Sequence, residues 1–96
     1  MKILIIEDDT ELSMILSSYL TKHGMEVISA EDPYLGMSLL TQHAFDLIIL
    51  DLTLPGMDGL EVVEKIRETS NIPIIISSAR DDITDKVIGL ERGADD

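Results

Sequence analysis

Acidic and hydroxyl side chains follow three apolar runs of the sequence. The stretch ILIIEDD carries four large aliphatic residues straight into Glu7, Asp8 and Asp9, and FDLIIL leads directly into Asp51. A third run, IPIIIS, is followed by Ser78. Because ligands of open parallel sheets bind at the carboxyl ends of the strands, Glu7, Asp8 and Asp51 are expected to converge if the first and third strands are neighbours.

Three carboxylates in one pocket repel one another, and their pKa values rise unless a cation offsets the charge. Mg²⁺ prefers an octahedron of oxygen ligands, commonly one or two carboxylates with water and phosphate. An accessible carboxylate beside such an ion can act as a nucleophile toward phosphorus. We therefore predict a metal and phosphoryl site at Asp8 and Asp51, whereas Asp9 is more simply explained as a helix cap or a solvated acid.

The stretch DLTLPGMDG, residues 51–59, sharpens this prediction. Pro55, Gly56 and Gly59 are typical of a tight loop. Such a loop can turn the backbone carbonyl of Thr53 toward a metal ion and keep Asp51 accessible.

Short apolar runs alternate with stretches of helical periodicity. We predict strands over 2–6, 25–30, 45–50 and 72–77, and helices over 11–24, 32–43, 59–70 and 81–93. Four strand–helix units in succession predict an α/β fold, a doubly wound parallel sheet with helices on both faces. Asp32 and Asp58 are the expected N-caps of the second and third helices, and the second strand is expected at an edge.

Several side chains receive structural interpretations. A helical stripe of apolar residues is formed by Leu12, Ile15, Leu16, Tyr19 and Leu20. We expect the methionines to fill gaps in the hydrophobic core: Met14, Met25, Met37 and Met57. His23 and His43 are expected to end helices, where a charge near the C-terminus is favourable.

Length and charge narrow the classes of function. The chain has 96 residues, which suits one domain, and a formal net charge of −12, which disfavours direct binding to DNA or to an anionic membrane. It has no cysteine, no apolar run of transmembrane length and no signal peptide pattern. We expect a cytoplasmic protein.

Four motifs, in order and spacing, resemble the receiver domain of bacterial two-component response regulators: ILIIEDD, LIILDLTLPGMDG, IPIIISSAR and GADD. The resemblance covers the whole chain. The run SSARDDITDKVIGLERGADD looks most like regulators that carry a winged-helix DNA-binding domain after the receiver. The resemblance implies a flavodoxin-like sheet of strand order 2-1-3-4-5, of which 1–96 would supply the first four strands and helices.

The resemblance also implies roles for residues of the expected site. Asp51 matches the phosphoacceptor, Asp8 a direct ligand of Mg²⁺ or Mn²⁺, and Glu7 a ligand through water. Thr53 matches the residue that offers its main-chain carbonyl to the metal.

Further roles carry over to residues after the fourth strand. Ser78 matches the switch hydroxyl that moves to the phosphoryl group, and Ala79 the small residue beside it. Thr53 and Arg80 match the positions that tune the lifetime of the phosphorylated state.

The family's fifth strand brings a lysine to the phosphoryl group, and this sequence has no counterpart of it. We therefore expect 1–96 to be an incomplete receiver domain with an output domain beyond residue 96. The expected function is a phosphorylation-dependent switch and not a turnover enzyme. Its expected partners are a sensor histidine kinase, a second copy in a dimer, and DNA through the output domain only; no membrane partner is expected.

Three alternatives differ in class. Aspartate-nucleophile phosphohydrolases resemble DxDxT, with an acid where this chain has Thr53, so the general acid is missing. A flavodoxin-type nucleotide module cradles phosphate after its first strand, where EDDTE would repel it. A stand-alone receiver that acts through protein–protein contacts remains open.

Overall fold

The computed structural model describes residues 1–51 and 58–77. Strands and helices alternate as β1 (Lys2–Ile6), α1 (Thr10–Lys22), β2 (Glu26–Ala30), α2 (Pro33–Gln42), β3 (Leu47–Asp51), α3 (Gly59–Arg67) and β4 (Ile74–Ser77). Each corresponds to a predicted element, with ends moved by a few residues. The helix predicted over 81–93 lies outside the described residues.

The four strands form one parallel sheet in the order β2-β1-β3-β4. In the register of this sheet, Ile6 lies beside Ala30 on one side and Leu50 on the other, and Asp51 lies beside Ser77. The carboxyl ends of all four strands therefore meet at one edge of the sheet. The predicted order is confirmed, and β2 is an edge strand among the described residues.

Alternate residues of the strands bury two different faces. One face packs on α2 and α3 in a core cluster whose fully buried members are Leu4, Ile6, Ala30, Ile48, Leu50, Val62, Val63, Ile66, Ile74 and Ile76. The other face carries buried Ile3 and Ile5, and α1 joins it through Ser13, whose Oγ donates to Ser29 Oγ at 3.0 Å. Helices on both faces are thus confirmed.

Aspartates begin all three described helices. Asp9 and Asp32 each accept a hydrogen bond from the backbone amide three residues on, at 3.1 and 2.8 Å. Asp58 accepts one from the amide two residues on, at 3.0 Å. Each carboxylate satisfies an otherwise unpaired amide of the first turn and complements the helix dipole. The caps predicted at Asp32 and Asp58 are confirmed, and so is the stop at Gly24, which has a φ of 83°.

The apolar stripe predicted on α1 is only partly correct. Leu12, Leu16 and Leu20 are half-buried, but Ile15 and Tyr19 are 60% and 61% exposed. The physical reason is that α1 lies mainly over the edge strand β2, so a narrow strip of the helix meets the sheet. Periodicity gives the face of a helix and not the width of the surface that covers it.

Among the methionines expected in the core, Met14 is 69% exposed, so that prediction is wrong for it. Met25 and Met37 are half-buried, and Met57 lies outside the described residues. Met14 lies on α1 beside the exposed Ile15, where the sheet does not cover the helix.

Both histidines end helices, as predicted. His23 is the C-cap of α1, and its Nδ1 lies 2.9 Å from the carbonyl oxygen of Tyr19. His43 is the C-cap of α2, and its Nδ1 lies 3.1 Å from the ammonium of Lys2. Each histidine side chain therefore has a local partner at the end of its helix.

Candidate metal centre

The carboxylates predicted to converge do so at the carboxyl edge of the sheet. Glu7 leaves β1 with its backbone amide donating to the carbonyl of Ala30 at 3.0 Å, and Asp51 is the last residue of neighbouring β3. One carboxylate oxygen from each of Glu7, Asp8 and Asp51 lies within 4.8 Å of the others. This convergence follows directly from the pairing of β1 with β3.

Two members of this group are buried and one is exposed. Glu7 and Asp51 are each 6% exposed, whereas the side chain of Asp8 reaches solvent. Burial, and then a hydrogen bond to the side chain of Asp51, raises the pKa of Glu7 from 4.5 to about 8. The raised pKa means that the Glu7 carboxyl gives up its proton less readily in the metal-free site than it would in water.

The donor set fits a hard divalent cation. Three carboxylates without nitrogen or sulfur suit Mg²⁺ or Mn²⁺ better than Zn²⁺. A cation among them would replace the proton of Glu7 and remove the repulsion between the buried carboxylates. The exposed position of Asp8 leaves room for water ligands, which Mg²⁺ usually retains.

Asp9 stands apart from this group although it follows directly in sequence. Its carboxylate caps α1 by accepting from Leu12, as one of the two interpretations of this residue predicted. Its backbone amide donates to Glu7 Oε2 at 3.3 Å. This second contact was not anticipated from the sequence, because it depends on how the chain turns from β1 into α1.

A cavity of about 350 Å³ lies beside Glu7, between α1 and β2. Its lining is rich in hydroxyls, with Ser13, Ser17 and Ser29 joined by hydrogen bonds of 3.0 and 3.3 Å. The spacing of Ser13 and Ser17, one helical turn apart, was the signal in the sequence for this polar strip. Of the three grouped carboxylates, only that of Glu7 lines the cavity, so the cavity adjoins the acidic group on its Glu7 side.

Four other residues singled out in the sequence lie outside the described part of the chain: Thr53, Ser78, Ala79 and Arg80. The tight loop around Pro55 and Gly56 lies outside it as well. Their assigned roles stay predictions.

Comparisons with known proteins decide the family. The model for the response regulator receiver domain matches residues 3–96. The chain belongs to the response regulator receiver family. The resemblance read from the four sequence motifs is thereby confirmed, as is the flavodoxin-like arrangement of strands.

Relatives of this receiver domain include longer transcriptional regulators. It is 46% identical over its whole length to the uncharacterized transcriptional regulatory protein YclJ of Bacillus subtilis. It is 47% identical over 98% of its length to the transcriptional regulatory protein AfsQ1 of Streptomyces coelicolor. The chain spans 42% of the length of each relative.

A solved structure has the same fold. The BeF3-activated N-terminal receiver domain of Klebsiella pneumoniae RstA superposes with a TM-score of 0.91 at 31% identity, covering 98% of this chain and 80% of that one.

Within residues 1–51 and 58–77, no helix combines the length and apolar character needed to cross a membrane.

Proposed function

We propose that this receiver domain is a phosphorylation-controlled switch in which Asp51 accepts a phosphoryl group from a sensor histidine kinase. The observation that carries the proposal is the group of carboxylate oxygens from Glu7, Asp8 and Asp51, within 4.8 Å of one another at the carboxyl edge of the sheet. Membership of the receiver family supports the same role.

Each carboxylate has a distinct proposed task in holding Mg²⁺ or Mn²⁺. Asp8 and Asp51 would bind the ion directly, the carbonyl of Thr53 would add a neutral ligand, and Glu7 would bind through water. A bound divalent cation offsets the negative charge of the incoming phosphoryl group. Glu7 would lose its proton as the ion binds, since the cation favours the ionised carboxylate.

The proposed transfer forms one bond and breaks one. An oxygen of Asp51 attacks phosphorus while the phosphorus–nitrogen bond to the kinase histidine breaks. The electron pair of that bond leaves with the imidazole, which takes up a proton from solvent. Asp51 is the proposed nucleophile because it ends β3 at the carboxyl edge of the sheet, and its carboxylate lies beside those of Glu7 and Asp8.

The residues around the phosphoryl group are proposed to bind it and to set the lifetime of the phosphorylated state. Ser78 would hydrogen-bond the phosphoryl group, and Ala79 would leave space for it. Thr53 and Arg80 would set how quickly water reaches the acyl phosphate. The added charge would shift the domain between two packed states.

For the whole protein we propose transcriptional control in the cytoplasm through a DNA-binding output domain beyond residue 96, with a second copy as dimer partner. The relatives that this chain matches over 42% of their length are transcriptional regulators. With a net charge of −12, the receiver part itself would repel DNA, so contact with DNA falls to the rest of the protein. Steady phosphohydrolase turnover is not favoured, because Thr53 stands where that mechanism needs an acid.

The test is an intact-mass measurement after incubation with acetyl phosphate. We expect one added phosphoryl group in the presence of Mg²⁺ and none with a chelator, because the cation is needed to offset the charge. Asp51→Asn should accept no phosphoryl group. Asp32→Asn removes the same charge from a cap of α2 and should be labelled normally. Labelling of Asp51→Asn equal to the parent protein would refute the assignment.

A further inference from the structure

Asp9 makes three hydrogen bonds, two to residues after it in the chain and one to a residue before it. Forward, its Oδ1 accepts from the amide of Leu12 at 3.1 Å, and its carbonyl accepts from the amide of Ser13 at 3.0 Å. Backward, its own amide donates to Glu7 Oε2 at 3.3 Å. One residue therefore ties the first turn of α1 to a carboxylate of the acidic group.

The backbone conformation of Asp9 explains how these three hydrogen bonds coexist. Its φ of −78° and ψ of 103° are extended, as is usual for an N-cap. In this conformation the carbonyl already points along α1 while the amide is left outside the helix and faces Glu7. The side-chain cap holds this conformation, because the carboxylate satisfies an amide of the first turn that has no partner within the helix.

The C-terminal end of the first turn of α1 is also held in place, through Ser13. Ser13 is 6% exposed, and its Oγ donates to Ser29 Oγ of β2 at 3.0 Å. Asp9 is thus held between the end of β1 and a turn of helix that is anchored to β2. While the cap is intact, the backbone amide of Asp9 can therefore move little away from the Glu7 carboxylate.

We propose that Asp9 is a positioning residue for the metal site: its carboxylate caps α1, and the cap holds its backbone amide on Glu7, which orients the Glu7 carboxylate. The inference rests on the proposed metal site and deepens it. In this proposal Asp9 does not act on the metal through its negative charge. Its carboxylate accepts the hydrogen bond from the amide of Leu12 and is not one of the three grouped carboxylates.

The test separates capping from charge by Mg²⁺ titration calorimetry on the full chain. Asn and Ser cap as well as Asp does, so Asp9→Asn and Asp9→Ser should bind Mg²⁺ within about threefold of the parent. Asp9→Ala removes the cap and should weaken binding roughly tenfold, the size of loss seen when groups that orient metal ligands are removed. Thermal unfolding of each variant is recorded in chelator.

The matched control is Asp32→Ala, which removes the equivalent cap of α2. It should lower metal-free stability about as much as Asp9→Ala and leave Mg²⁺ affinity unchanged. Equal weakening by Asp9→Asn and Asp9→Ala would overturn the inference in favour of a charge effect. So would an Asp9→Ala protein that binds Mg²⁺ like Asp32→Ala. A parent protein that binds no Mg²⁺ would overturn the metal site and the inference together.

Discussion

Glu7 is the residue at which charge and burial conflict most sharply. It follows a strand of fully buried aliphatic residues, is 6% exposed itself and contacts a second buried carboxyl, that of Asp51. Burial and the neighbouring Asp51 raise the pKa of Glu7 to about 8, which favours the protonated carboxyl in the metal-free protein. A proton and a divalent cation therefore compete for the carboxylate of Glu7.

This conflict predicts how metal-free stability varies with pH. Folding raises the pKa of Glu7, so between pH 4.5 and about pH 8 the folded state holds a proton that the unfolded state has released. The free energy of unfolding must then fall as pH rises through this window. Replacing Glu7→Gln should remove that part of the slope. Chemical denaturation in chelator, at several pH values, measures it.

The other acids complicate the parent curve, because repulsion among them also grows with pH, so the comparison of slopes is what decides. Asp32→Asn is the control, since it changes a carboxylate outside the grouped set. Identical slopes in the Glu7→Gln and parent proteins would show that Glu7 is ionised throughout.

At the residue scale the sequence predicted which carboxylates meet but not how they are held. Glu7, Asp8 and Asp51 could be grouped because strand order and parallel pairing fix where their backbones end. The burial of Glu7 and its contact with the amide of Asp9 depend on how α1 departs from β1. No local pattern of residue types encodes that angle.

At the scale of the elements, α2 packs tightly against β1 at Gly36. A Cβ built on Gly36 would lie 2.6 Å from Cδ1 of Ile6, and Ile6 is fully buried in the core. Alanine would gain up to about 1 kcal/mol in helix propensity, but overpacking a tight core costs about 1–3 kcal/mol. We expect Gly36→Ala to lower the free energy of unfolding by about 1 kcal/mol in denaturant titrations.

A double-mutant cycle with Ile6→Val tests the cause. Valine lacks the Cδ1 atom at 2.6 Å but keeps a Cγ1, the atom that lies at 2.8 Å in isoleucine, so part of the clash is relieved. The double variant should therefore be less destabilised than the sum of the two single changes. Gly24→Ala is the contrast, because the loss there comes from a φ of 83° with no atom within 4 Å. Strict additivity between Gly36→Ala and Ile6→Val would contradict the steric explanation.

The sequence predicted elements better than it predicted their contacts. Caps such as Asp32, and the strand periodicities, are local signals and appear where expected. Exposure of Ile15, Tyr19 and Met14 on α1, and the tightness of Gly36 against β1, were not anticipated. These depend on distances between elements, which single-sequence periodicity does not contain.

The whole molecule carries a charge of −12, and part of that charge is concentrated at one edge of the sheet. Added monovalent salt should screen all the acids alike and raise stability gradually. A specific divalent site behaves differently, because it stabilises the folded state by mass action until it saturates. The two effects can be separated by a substitution that removes one ligand without changing the overall fold.

Asp8→Asn is that substitution, because Asp8 is exposed and its loss leaves the core intact. In the parent protein, Mg²⁺ at a hundred times its dissociation constant should add about 2.7 kcal/mol to the free energy of unfolding. Asp8→Asn should lose most of this gain while keeping the response to sodium chloride. Asp32→Asn, with the same net charge, should keep both. The measurement is denaturant unfolding across a Mg²⁺ series at constant ionic strength. Equal responses in Asp8→Asn and Asp32→Asn would mean that Mg²⁺ acts on the whole acidic surface and not at the edge formed by β1 and β3.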